Sequence, residues 1–125
     1  MATTKRISDT AKSRNIEIEL AEVISLDEME VVLTEVATEL GLYVSHTTVL
    51  GRVKYPGNRH WHLKRTPDTP GCLDLTYWPQ GELLWISIRN NEPGWVHDSG
   101  QRLEPALEAA LGNHHRHERG QSVRH

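Results

Sequence analysis

Three consecutive segments of this chain alternate apolar and polar residues and are joined by short connections. The segments are RHWHLKR (59–65), CLDLTYW (72–78) and ELLWISIR (82–89), and a Pro79-Gln80-Gly81 turn separates the last two. Alternation with a period of two is typical of a half-buried β-strand. Connections this short favour neighbouring antiparallel strands, because a parallel crossover needs a dozen or more residues. The segments therefore predict an antiparallel meander.

Two further segments extend this predicted sheet. YVSHTTVLGRV (43–53) is rich in β-branched residues, and Gly51 within it is a candidate bulge. NIEIEL (15–20) alternates between apolar residues and glutamates, although its apolar positions would also suit a helix. We therefore expect a sheet of three to five strands.

Residues 26–40 predict the first helix. Ser25 and Glu28 fit a capping box, in which each side chain satisfies a free backbone N–H at the helix start. Apolar residues recur at spacings of three and four and form one stripe: Leu26, Met29, Leu33, Val36 and Leu40. Gly41 is a natural stop at the C-terminal end.

A second helical pattern extends from Trp95 to Leu111, with a kink expected near Pro105 and an end at Gly112. The order strand, helix, several strands, helix predicts an α+β fold. We expect a two-layer sandwich in which both helices cover one face of the antiparallel sheet.

The length of 125 residues suits one domain. We expect a flexible N-terminus (1–14), a single α/β domain (15–112) and a disordered His-rich tail (113–125). One cysteine, Cys72, excludes an intramolecular disulfide. The N-terminus lacks the apolar segment of a secretory signal, and no apolar run approaches the length of a membrane span. These features favour a cytoplasmic protein with no membrane partner.

The formal net charge of -3 hides a segregation of charge along the chain. Residues 15–42 contain acids and no Lys or Arg, whereas residues 43–65 contain basic residues and no acid. The simplest interpretation is that the two regions neutralise each other across the fold, since charge asymmetry alone is a weak indication of a partner.

The alternation also divides the strand residues between two faces of the sheet. The more apolar set, which includes Trp61, should face the helices. The other set is a candidate binding surface for another protein, because tryptophans and charges together are typical of interaction sites. Its site residues are His60, His62, Lys64, Asp74, Trp78, Trp85 and Arg89. We expect Trp78, Trp85 and Arg89 to be exposed anchors, and a homodimer through this face is a further option.

Three alternatives use the same face. Trp78 and Trp85 could stack on bases of RNA or single-stranded DNA, with basic residues on the phosphates. His60 and His62 could share a metal ion and support a metal-dependent enzyme, for which Asp74 is the best third ligand and His97 or His46 the next.

Cys72 could also be a nucleophile with one of those histidines as its base. Because no metal-binding spacing motif is present, we expect no metal, no cofactor and no catalytic residue.

The strings RHWHLK, TYWP and LLWIS, within residues 55–96, resemble segments of small uncharacterised bacterial proteins. More distantly they are similar to the tryptophan-bearing immunity proteins of bacterial toxin systems. This resemblance implies a bacterial protein that binds another protein rather than an enzyme.

Overall fold

The computed structural model describes residues 13–123, and within them the side chains of residues 13–114. Five strands and two helices follow one another along the chain. They are β1 (Ser13–Glu17), α1 (Leu26–Glu39), β2 (Tyr43–Thr48), β3 (Arg59–Lys64), β4 (Leu73–Trp78), β5 (Leu83–Arg89) and α2 (Gly94–Val123). The predicted flexible N-terminus, 1–14, lies outside the described residues except for Ser13 and Arg14, which begin β1.

The five strands form one open sheet in the order β1-β5-β4-β3-β2. Every neighbouring pair is antiparallel. Strands β2 to β5 are the predicted meander, and β1 adds to its far side by pairing with β5. The register shifts between Val44 and His46, so the irregularity of β2 lies there and not at Gly51, where the sequence predicted a bulge.

Helix α1 has the predicted capping box. The Ser25 hydroxyl accepts a hydrogen bond from the Glu28 backbone N–H, and the Glu28 carboxylate accepts one from the Ser25 N–H. The helix ends one residue before Leu40, and Gly41 follows with a φ of 78°, a left-handed conformation that favours glycine. The apolar stripe lies against the sheet, as predicted.

Helix α2 begins at Gly94 and contains Pro105. The sequence predicted that Gly112 would end the helix, but the helix continues to Val123 and so includes most of the predicted tail, 113–125. Gly100 permits a close approach between α2 and the sheet, because a Cβ at this position would collide with Ile88 of β5.

The main core lies between the sheet and the two helices. Trp61, Leu75 and Ile86 from the sheet are fully buried there with Leu33 of α1 and Leu103 of α2. The predicted α+β sandwich, with both helices on one face, is therefore confirmed.

Part of the segregated charge is neutralised across this layer. Arg59 of β3 lies 3.1 Å from the carboxylate of Asp27 and 3.0 Å from that of Glu30. Glu30 also accepts a hydrogen bond of 3.1 Å from the indole N–H of Trp61, which fixes this buried ring beneath α1.

Candidate functional site

The second face of the sheet is only partly open, because residues 49–58, the cover loop between β2 and β3, pack on it. Leu50 and Tyr55 of this loop contact a small second core built on Leu83, Trp85 and Trp78. Trp85 is only 3% exposed, so the prediction that it is an exposed anchor is wrong. Strand alternation assigned Trp85 to the correct face, but alternation contains no information on whether a distant loop covers that face.

One buried side chain ties the cover loop to itself. The carboxamide of Asn58 accepts a hydrogen bond of 2.8 Å from the Leu50 N–H. Its Nδ2 donates to the Leu50 carbonyl at 3.1 Å and to the Tyr55 carbonyl at 2.7 Å. Asn58 thereby joins both ends of the loop and holds Tyr55 over the sheet.

Trp78, the second predicted anchor, is half-buried and largely engaged. Its indole N–H donates to the Pro56 carbonyl at 2.9 Å. Its ring meets the Tyr55 ring edge-on, with centroids 5.2 Å apart, and its other side lies against Gly81. The ring therefore helps to hold the cover loop, and little of it remains to stack on a ligand.

The other half of the second face is open and forms a groove beside strand β2. This open groove has a volume of about 560 Å³. It is lined by Ser45, His46, Thr47, Thr48, His62, Lys64 and Cys72. No acidic residue is among those lining residues, whereas Lys64 carries a positive charge and two histidines can gain one.

Four side chains, the polar cluster of His60, His62, Cys72 and Asp74, meet next to this groove. His62 Nδ1 lies 2.8 Å from Asp74 Oδ1, and His60 Nε2 lies 3.9 Å from Asp74 Oδ2. Cys72 Sγ lies 3.4 Å from His62 Nδ1 and 3.3 Å from Asp74 Oδ1. Strand register explains the meeting, since His62 of β3 is directly opposite Asp74 of β4.

Groups around the polar cluster hold it in place. His60 Nδ1 is 2.6 Å from the hydroxyl of Thr76, which is fully buried. Arg89 Nη2 lies 4.0 Å from Asp74 Oδ2, and Arg89 Nη1 lies 3.4 Å from Glu92. The guanidinium is thus shared between two carboxylates at the edge of the cluster.

The environment keeps His60 neutral and the Cys72 thiol protonated. Burial lowers the pKa of His60 below its ordinary 6.5; Asp74 opposes this shift, while His62 and Arg89 add to it. Burial, followed by the Asp74 carboxylate, raises the pKa of the Cys72 thiol to about 12. Because the thiolate is the nucleophilic form, a thiol with this pKa is a poor nucleophile, and a Cys72-based catalytic centre has little support.

The structure divides the predicted site residues into two groups. His60, His62, Asp74 and Arg89 come together, and Lys64 lines the adjoining groove. Trp78 and Trp85 belong to the half of the face beneath the cover loop. Of the further ligands that the sequence offered, His46 approaches with its ring centroid 6.2 Å from that of His62, and the metal-competent group among the described residues does not include His97.

Sequence reasoning missed three residues that build the face: Tyr55, Asn58 and Thr76. Tyr55 and Asn58 flank the Pro-Gly turn, which indicated only a connection. An apolar residue, an aromatic residue and an amide within one predicted loop would have been a usable signal for a loop that packs on the sheet.

Comparison of the chain with models of known protein families, with curated proteins and with solved structures finds no match. None of the helices in the described part of the chain is long and apolar enough to span a bilayer.

Proposed function

We propose that this protein is a small non-catalytic binding domain that recognises a segment of another protein at the open groove. The observation that carries this proposal is the groove itself, a concave surface of about 560 Å³ beside an edge strand. It replaces the tryptophan-centred surface expected from the sequence, since Trp85 lies beneath the cover loop.

Strand β2 favours an extended partner. It is the last strand of the sheet, and within the described residues it pairs only with β3. An edge strand presents backbone N–H and C=O groups that an extended peptide can pair with, and neighbouring side-chain sites then provide specificity. Thr47 and Thr48 are exposed on this strand and would lie beside such a peptide.

Charge favours an acidic partner segment. Lys64 makes no ion pair with any residue in the described ranges, and His46 and His62 line the same groove. Charges at the rim of an interface mainly affect the rate of association and its salt dependence. We therefore propose an acidic, extended segment as the partner, in the bacterial cytoplasm that the sequence predicts, with a second copy of this chain as an alternative occupant.

Recognition of single-stranded nucleic acid has less support. Such recognition relies on aromatic rings that are free to stack on bases. Trp78 is held by Pro56 and Tyr55, and Trp85 is buried, so neither ring offers an open platform.

Affinity capture from a native lysate of the source organism, with and without nuclease, tests the proposal. Lys64→Glu reverses the charge in the groove, and Arg52→Glu makes the same change on the exposed cover loop as a matched control. We expect a protein that is captured by the wild type and by Arg52→Glu, is lost with Lys64→Glu and is insensitive to nuclease. Capture that survives Lys64→Glu, or that disappears with nuclease, contradicts the proposal.

A further inference from the structure

We propose that the polar cluster is a binding site for one transition-metal ion of the zinc type, held by His60, His62, Asp74 and Cys72. The site goes beyond the recognition function, because it lies at the floor of the second face and does not require a partner. The sequence indicated the two histidines but not the four-donor arrangement, and it led us to expect no metal.

The spacing of the donor atoms suits a tetrahedral ion. Bonds of about 2.0–2.3 Å place neighbouring ligand atoms of such an ion about 3.3–3.7 Å apart. The Cys72 sulfur is 3.4 Å from His62 Nδ1 and 3.3 Å from Asp74 Oδ1, within that spacing. Ligand atoms of His60, His62 and Asp74 all lie within 4.8 Å of one another, so small side-chain rotations would complete the set.

His60 already has the arrangement of a metal ligand. Its Nδ1 is paired with the buried Thr76 hydroxyl at 2.6 Å, and its Nε2 points toward Asp74. Metal-bound histidines usually use their second ring nitrogen in this way, since a polar partner fixes the tautomer and the ring orientation. The neutral state of His60 leaves Nε2 available as a lone-pair donor.

The donor types select the class of metal. Two imidazoles, a carboxylate and a thiol suit zinc or cobalt(II), whereas magnesium and calcium favour oxygen ligands alone. Ligation requires the thiolate form of Cys72, so the metal–sulfur bond forms as the thiol proton is released to solvent. Metal uptake should therefore be stronger at higher pH.

The surrounding charges leave room for an ion. Arg89 is the nearest cation to Asp74, and its side chain is 60% exposed. It can keep its contact with Glu92 when Asp74 turns toward a metal, because the two carboxylates meet different nitrogens of its guanidinium.

Zinc titration of the full chain by calorimetry after chelator treatment tests the site. Asp74→Asn and His62→Gln remove ligands, Thr76→Val removes the support of His60, and far-ultraviolet circular dichroism checks that each variant is folded. A control chain carries Gln at positions 114, 115 and 117, which removes tail histidines that bind metal non-specifically. His97→Gln is a second control outside the cluster.

We expect about one zinc per chain in the wild type and in both controls. Each ligand variant should bind at least about tenfold more weakly, and Thr76→Val about 10–100-fold more weakly. In the cobalt(II) form, Cys72→Ser should remove the thiolate-to-metal charge-transfer absorption while visible bands of the bound cobalt remain.

Three results would overturn the site: no stoichiometric zinc in the wild type, loss of zinc in the tail control, or full affinity in a folded Asp74→Asn chain. None of them affects the capture experiment, which depends on Lys64 and is read with chelator present.

Discussion

Trp85 provides the sharpest test of the cover loop, because its burial depends on that loop rather than on either helix. A buried tryptophan removes about 150–250 Å² from water. At about 25 cal/mol per Å² this corresponds to about 4–6 kcal/mol, which is an upper bound because the unfolded chain already buries some surface. Truncation of buried aromatic residues to alanine costs about 3–5 kcal/mol. We expect Trp85→Ala to lower the free energy of unfolding by about 3–4 kcal/mol, since a loop can settle partly into the space.

Urea unfolding followed by far-ultraviolet circular dichroism measures this change without relying on tryptophan fluorescence. Val53→Ala is the matched control, because Val53 lies in the same loop and is 99% exposed, and it should change the free energy by less than about 0.5 kcal/mol. Tyr55→Ala should show non-additivity with Trp85→Ala, because the two ring centroids are 5.2 Å apart. A loss below about 1 kcal/mol for Trp85→Ala would mean that the loop does not pack on the sheet in solution.

Three further outcomes are expected. Asn58→Ala should lower the free energy of unfolding by about 2–3 kcal/mol and increase acrylamide quenching of tryptophan fluorescence, because it removes three hydrogen bonds of about 1 kcal/mol each; unchanged quenching would contradict the role of Asn58 in holding the loop. Because the pKa of His60 is lowered on folding, its contribution to stability is present above pH 6.5 and is lost as pH falls through the lower folded value; proton NMR should show His60 titrating below 6.5, and lower still in Asp74→Asn, and a value above 6.5 would refute the burial argument. Iodoacetamide should modify the folded chain slowly at pH 8, since the pKa of Cys72 is about 12, and faster in Asp74→Asn; equal rates would show that the carboxylate does not control the thiol.

The sequence was sufficient for the architecture because local patterns determine it. The Ser25–Glu28 capping box and the spacing of apolar residues predicted α1, and alternation placed Trp61 on the helix side of the sheet. These signals depend on residues that are close together in the chain. The end of α2 was wrong for the same reason, since a polar, His-rich segment after Gly112 has no local pattern that indicates helix.

The candidate site was predictable only as a set of residues on one face. Alternation assigned His62, Asp74 and Trp85 to that face, but it did not give the register that places His62 opposite Asp74. It also could not show that Tyr55 would cover Trp85, because that contact joins a loop to a strand 30 positions away. What covers a sheet depends on tertiary packing, which no periodicity encodes.

The pairing of β1 with β5 has a consequence for the order in which the chain is made and folds. Asn15 and Ser87, which face each other across these strands, are 72 positions apart. A chain leaving the ribosome can complete β2, β3 and β4 by local pairing, yet β1 has no partner until β5 has emerged. Contacts between such distant residues slow folding, because a long loop must close before they form. Until β1 docks, β5 presents a free edge to neighbouring chains, so a protein shortened at this strand should aggregate during synthesis even where its helices and meander are intact.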